Sequence, residues 1–202
     1  KTEGGATFLI SDTYDAAGDG AFTLNREVEV VESGDEAGFA SVYTLSSVNR
    51  DATDGYEYFI PSILYRDTDH MRNRAVGADL SKNRMYVKET RCGLPMAMLR
   101  EKDRGVSFAL SHLKPDISVG RFAGGGVPGE VNDSLRYGAV GFDLSPVPGV
   151  TFRYPSAEGP DTYEEIRARE PGASVWSDRY HTVRQGNGHT FSVAIIPNVC
   201  DG

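Results

Sequence analysis

Residues 21–32 carry the clearest alternation in the chain: Phe22, Leu24, Val28 and Val30 fall on one side of a period of two, and Thr23, Asn25, Glu27 and Glu29 on the other, with only Arg26 breaking the apolar side. Side chains of a strand point alternately to its two faces, so this pattern predicts a half-buried antiparallel strand. Residues 39–48, with Phe39, Tyr43 and Leu45 inward, predict a second strand joined to it as a hairpin through a turn at residues 33–38. Before this pair, residues 6–11 read as a short strand and residues 12–20 as a turn rich in Asp and Gly. Asp12, Asp15 and Asp19 lack the alternate-position spacing and distal Glu of a calcium loop.

Further along, residues 56–64 read as a strand apolar on both faces, with Pro61 at an edge or bulge. Residues 66–82 show no periodicity and predict a long loop. Strands at residues 84–91, 96–101 and 106–113 follow, the last two joined by a charged turn, and their spacing predicts a meander. Residues 114–135 form a glycine-rich stretch without either phosphate-binding fingerprint. Residues 137–144 and 150–154 predict a hairpin, residues 161–170 a short helix with Asp161 as N-cap and Pro171-Gly172 as stop, and residues 175–184 and 189–197 the closing strands. About ten to twelve short strands with one short helix predict an all-β fold, a large antiparallel β-sandwich.

A chain of 202 residues is long enough for one large domain, and all-β domains of this size often stay undivided. The net charge of −8 and pI near 5.0 argue against a nucleic-acid partner, and an acidic surface repels anionic membranes. No apolar run approaches the ~20 residues of a membrane-spanning helix. Cys92 and Cys200 do not fix a compartment or a pairing, and no Cys/His/carboxylate spacing suggests a structural metal or any cofactor.

Candidate chemistry concentrates in residues 56–100. Tyr56, Tyr58, Phe59, Tyr65 and Tyr86 accompany Arg66, Asp67, Asp69, His70, Arg72 and Arg74 between two strand-like runs. Aromatic faces beside hydrogen-bonding groups suit a polar, flat-faced ligand such as a sugar, although a buried strand followed by a solvated loop has the same composition. Several carboxylates (Asp67, Asp69, Glu89, Glu164, Glu165) could serve glycoside hydrolysis, and none forms a distinctive pair. The histidines His70, His112, His181 and His189 have no marked nucleophile beside them in the sequence. Tyr180 and His181, adjacent in a strand, face opposite ways, Arg91 is placed to pair with Glu89 on one strand face, and Trp176 is either a sugar platform or a core residue.

At residues 58–65 (YFIPSILY) and 88–99 (KETRCGLPMAML) the chain resembles the N-terminal β-supersandwich domain of bacterial proteins of the six-hairpin glycosidase superfamily. In that family the sandwich precedes an (α/α)6 catalytic barrel, which this sequence does not contain. The resemblance implies a secreted, periplasmic or cell-surface glycoside hydrolase-like protein. It also implies a non-catalytic sandwich supporting a C-terminal catalytic domain, with polysaccharide or oligosaccharide as partner and Tyr65, Arg66, His70, Arg91 and Trp176 as candidate substrate contacts. A stand-alone carbohydrate-binding module and a purely structural or partner-binding domain are the alternatives.

Overall fold

The alternation of residues 21–32 is realised as β2 (Ala21–Glu32), and its one irregularity has a structural cause. Arg26 lies on the same strand face as Leu24 and Val28, at the lateral margin of the fold, where its guanidinium makes a two-pronged ion pair with Asp12 at 2.7 Å for each bond. The same side chain donates to the Val42 carbonyl and covers the Tyr43 ring. A charge is tolerated on the apolar face because it reaches the edge and is fully partnered there.

The computed structural model describes residues 5–46, 55–61, 64–67, 78–79, 84–114, 130–144, 147–157 and 178–198, with backbone alone for 64–67, 78–79 and 130. The remaining strands are β1 (Thr7–Gly18), β3 (Gly38–Phe39), β4 (Ser41–Ser46), β5 (Tyr56–Ile60), β6 (Leu64–Asp67), β7 (Ala78–Asp79), β8 (Arg84–Lys88), β9 (Met96–Glu101) and β10 (Val106–Leu113). They continue with β11 (Glu130–Val131), β12 (Ala139–Asp143), β13 (Gly149–Tyr154), β14 (Arg179–Thr182) and β15 (Gly188–Pro197). Among the described residues the helical content is one 3-10 turn, Glu89–Arg91. The expected helix at residues 161–170 lies outside the described residues, and no described helix is long and apolar enough to cross a membrane.

The strands build a seven-stranded sheet (β1-β2-β15-β10-β9-β5-β6), a five-stranded sheet (β4-β13-β12-β8-β7) and a small ribbon (β11-β14-β3). All pairings are antiparallel except the two-residue contact of β11 with β14. The two large sheets face each other, as an all-β sandwich does. Leu24, Tyr58, Ile60, Leu99, Leu110 and Val193 come from one side of the core, and Met85, Val87, Val140, Phe142, Val150 and Phe152 from the other. Tyr58 meets Phe142 edge-on and Phe191 meets Phe152, each at 5.0 Å between centroids, so aromatic pairs bridge the sheets. A second, smaller core of Ala6, Val28, Val30, Phe39 and Val183 joins β1 and β2 to the ribbon.

Four expectations change. Residues 12–18 are strand rather than turn, because β2 offers a continuous partner and two of the acidic side chains find cross-strand mates: Asp12 with Arg26, Asp15 with Asn25. The reversal is confined to Asp19 and Gly20, both at positive φ. The hairpin predicted between residues 21–32 and 39–48 does not form, since β3 joins β14 and β4 joins β13. The strand at residues 84–91 stops at Lys88 and belongs to the opposite sheet from β9 and β10, so these three are not a meander. Residues 56–64 split at Pro61 into β5 and its antiparallel neighbour β6. The hairpins β9–β10 and β12–β13 and the packed alternation of β15 agree with the sequence.

The middle of the five-stranded sheet is buried on both faces: all six positions of β13 and all but one each of β8 and β12 are buried, whereas β4 at the edge exposes Val42, Thr44 and Ser46. On its outer face Asp143 accepts hydrogen bonds from Tyr86 and Thr151, while Arg153 reaches Asp178 and the Arg179 carbonyl. Gly141 lies opposite Tyr86 in the pairing, and a Cβ there would strike the Met85 carbonyl and the Tyr86 ring. Gly141→Ala is therefore expected to destabilise the fold by about 3 kcal/mol. Urea denaturation checks this, and an unshifted midpoint would contradict the β8–β12 register.

Candidate functional site

Three buried histidines gather at one end of the sandwich from elements far apart in the chain. Ser41 opens β4, His112 is the next-to-last residue of β10, His181 lies in β14 and His189 in β15. Strand parity turns His181 inward and leaves Tyr180 on the other side beneath Arg153, as their adjacency requires. Tyr154 stands at the centre, with its ring 5.1 Å from His189, 5.6 Å from His181 and 6.1 Å from His112. Phe39 stacks on His189 from the ribbon side.

The hydrogen bonds fix the protons. His181 Nε2 lies 3.1 Å from the Leu135 carbonyl, which only accepts, so this nitrogen carries hydrogen. In a neutral ring His181 Nδ1 is then a lone pair, and His189 Nδ1, 2.9 Å away, must donate to it. His189 Nε2 is left as an acceptor, and Ser41 Oγ–H donates to it at 2.7 Å. One directed chain results: Ser41 to His189 to His181 to Leu135. Burial above all lowers the proton affinity of both rings, bringing His189 down to about 3 with added repulsion from His181 and Arg26. The hydrogen bond to the Leu135 carbonyl opposes that trend in His181 without reversing it. Both imidazoles are thus neutral near pH 7, as the tautomers demand.

Beside this chain the Glu89 carboxylate is buried, accepting from the Gly138 N–H and lying 2.7 Å from His112 Nδ1. The pair expected between Glu89 and Arg91 on one strand face is replaced by this arrangement, because both residues sit in the 3-10 turn rather than a strand. Among the described residues no group of three or more His, Cys, Asp or Glu is arranged to hold a metal ion. At the His181–His189 pair the reason is plain, since all four ring nitrogens are engaged.

Next to the histidine chain lies a cavity of about 460 Å³. Its lining includes Tyr154 and His189 from the buried cluster and Glu27, Glu29, Arg136 and Asn187 around them. It opens where β15 has lost its second neighbour: β10 pairs with residues 192–197, leaving residues 188–191 joined to β2 alone among the described strands. Asn187 is held by Asp133 and the Thr182 carbonyl, and Arg136 donates to the Asp133 and Leu135 carbonyls, so the walls are ordered. Aromatic surface, an amide, a guanidinium and carboxylates around one small volume can accommodate a polar, uncharged ligand.

The residues nominated from sequence lie elsewhere. Tyr65 and Arg66 are in β6, opposite Phe59 and Tyr58 of β5. That strand is four places from β15, about 19 Å at the usual strand spacing. Arg91 is in the 3-10 turn, and His70 and Trp176 lie outside the described residues. Sequence reasoning missed Ser41, Tyr154 and the convergence of His112, His181 and His189. The available signal was three histidines on inward positions of apolar strands, which only a pairing scheme could bring together.

No protein-family model and no curated protein matches the chain. Among solved structures, the crystal structure of the Slr1438 protein from Synechocystis sp. PCC 6803 aligns with 95% of this chain at 10% identity and a TM-score of 0.37. The alignment takes in 55% of that protein, so this chain spans about half its length. A similarity this loose carries no conclusion about chemistry.

Folding lowers the proton affinity of His181 and His189, so between about pH 6.5 and about pH 3 the unfolded chain binds protons that the folded chain excludes. Stability consequently falls as the pH drops through that window. For His189 alone the loss from pH 7 to pH 5 is about 2 kcal/mol. Urea unfolding at the two pH values, compared with a His189→Gln chain, checks this; the variant is expected to show the smaller loss.

Proposed function

We propose that the chain is a β-sandwich domain of a carbohydrate-processing, glycoside hydrolase-like protein, recognising a saccharide in the cavity at Tyr154 and His189 and supporting a catalytic domain elsewhere in the parent protein. The observation that carries this reading is the cavity itself. Its volume falls within the ~300–1,000 Å³ of small-molecule sites, and its aromatic floor is ringed by groups that bond hydroxyls. Neutral His189 with both nitrogens occupied offers a ring surface rather than a charge. Tyr65, Arg66, His70, Arg91 and Trp176 remain proposed contacts for a glycan extending beyond the cavity. A secreted, periplasmic or cell-surface bacterial setting belongs to the same proposal.

A second reading, a structural or partner-binding domain, is favoured by the margin at β1 and β2. There Leu9, Ile10, Tyr14 and Phe22 are roughly half exposed along a long edge hairpin. Apolar side chains grouped on an edge are a usual sign of a covered surface.

Binding to a glycan array and to soluble polysaccharides separates the two. The first reading expects saturable binding that Arg136→Ala and Glu27→Ala each weaken about tenfold, or ~1.4 kcal/mol, with the melting temperature of Glu27→Ala unchanged. Absence of binding together with self-association would favour the second, and binding untouched by both substitutions would remove the cavity from the proposal.

A further inference from the structure

We infer that Ser41, His189 and His181 form a nucleophilic relay able to cleave a small carboxylic ester presented from the cavity. Nucleophilic hydroxyl catalysis needs a base within hydrogen-bond reach of the hydroxyl and a third group that orients the base. Ser41 Oγ lies 2.7 Å from His189 Nε2, and His189 Nδ1 lies 2.9 Å from His181 Nδ1. His181 is anchored in turn by the Leu135 carbonyl at 3.1 Å. The tautomers derived above place the proton on Ser41 and the lone pair on His189, the arrangement from which a serine attacks. His181 is 1% exposed, as suits an orienting group, whereas Ser41 at 9% and His189 at 8% retain some access. His189 lines the cavity directly, and Ser41 is the cross-strand partner of Tyr154, which also lines it.

The chemistry balances without any further reagent than water. Ser41 Oγ bonds to the ester carbonyl carbon as its proton passes to His189 Nε2, and His189 Nδ1–H still donates to the His181 lone pair. The carbon–oxygen bond to the alcohol then breaks, and the alcohol leaves with the proton from His189 Nε2. Water attacks the acyl-serine, giving its proton to His189 Nε2; the serine oxygen leaves and recovers that proton, releasing the carboxylic acid. Depth selects a short acyl group. Polar residues around the cavity select a polar alcohol, and where the saccharide reading also holds, the substrate is an O-acylated sugar.

The test treats the unmodified chain with diisopropyl fluorophosphate and maps the adduct by mass spectrometry, so that it does not depend on any variant folding. Hydrolysis of p-nitrophenyl acetate is followed in parallel with the unmodified chain and with Ser41→Ala. The expected result is an adduct on Ser41 and at least a tenfold loss of hydrolysis in Ser41→Ala, with His181→Gln lowering kcat while KM is kept. No adduct on Ser41, or equal hydrolysis by Ser41→Ala, overturns the relay and leaves these hydrogen bonds a purely structural role. Glycan binding is measured separately on the unmodified chain. Binding without an adduct sinks the relay alone, and an adduct without binding sinks the saccharide reading alone.

Discussion

A hydrogen bond between two imidazole nitrogens exists only if one carries hydrogen and the other a lone pair, and the contact between His181 and His189 imposes that condition on everything around it. It requires an acceptor beyond His181, which Leu135 supplies, and a donor beyond His189, which Ser41 supplies. Four segments are thereby held in one register: the start of β4, the residues before β12, β14 and β15. A chain of buried polar groups satisfied at every atom is specific, since removing one member strands the next. Desolvation enforces the same state by making a second proton costly, so geometry and electrostatics agree.

The cavity follows from the same region. β14 and β15 are joined by a short turn through Gly186, and Gly188 approaches the Val28 backbone so closely that no Cβ fits, which holds β15 against β2. Because β10 ends opposite Ser192, the first residues of β15 have no further described neighbour on that side, and space remains there. Tyr154 and His189 contribute both to the core and to that space. The floor of the cavity is thus built from residues the fold already needs, which gives it rigidity and explains why aromatic surface meets polar walls at this end.

Much of the fold was legible because strand alternation is local. β2, β15 and the hairpins β9–β10 and β12–β13 follow from patterns within a dozen residues, and their sum gives an all-β sandwich. What failed was non-local or depended on a partner. The Asp-rich residues 12–18 look like a turn until Arg26 and Asn25 neutralise their polarity across the strand pair. The run at residues 84–88 looks like part of a meander because nothing in it says which sheet it joins. The site was the least legible part. Ser41 and His189 are 148 positions apart, and each alone reads as an ordinary strand residue. The aromatic and charged stretch at residues 56–74 drew attention by composition, yet Tyr56 and Tyr58 point into the core and Phe59 is half-buried on the other face of β5.

The location of any chemistry is further constrained by β8, β12 and β13 of the five-stranded sheet being covered on both sides. Its outer face holds Tyr86, Asp143, Thr151 and Arg153, a set that in isolation would suit a sugar as well as the cavity does. Tyr86, Thr151 and Arg153 are buried and Asp143 is half-buried, and each is already bonded: Tyr86 and Thr151 to Asp143, Arg153 to Asp178 and the Arg179 carbonyl. Burial, reinforced by the neighbouring Asp143, drives the Tyr86 hydroxyl far above its usual range, so it serves as a fixed donor rather than an acid or base. A ligand there would have to displace satisfied hydrogen bonds without gaining any, which costs free energy. At the histidine end the balance is reversed: the internal bonds stay intact while the rings and the surrounding polar residues still border open volume. Access and internal satisfaction coexist there, and this is the physical reason to look for function at the end of the sandwich rather than on its face.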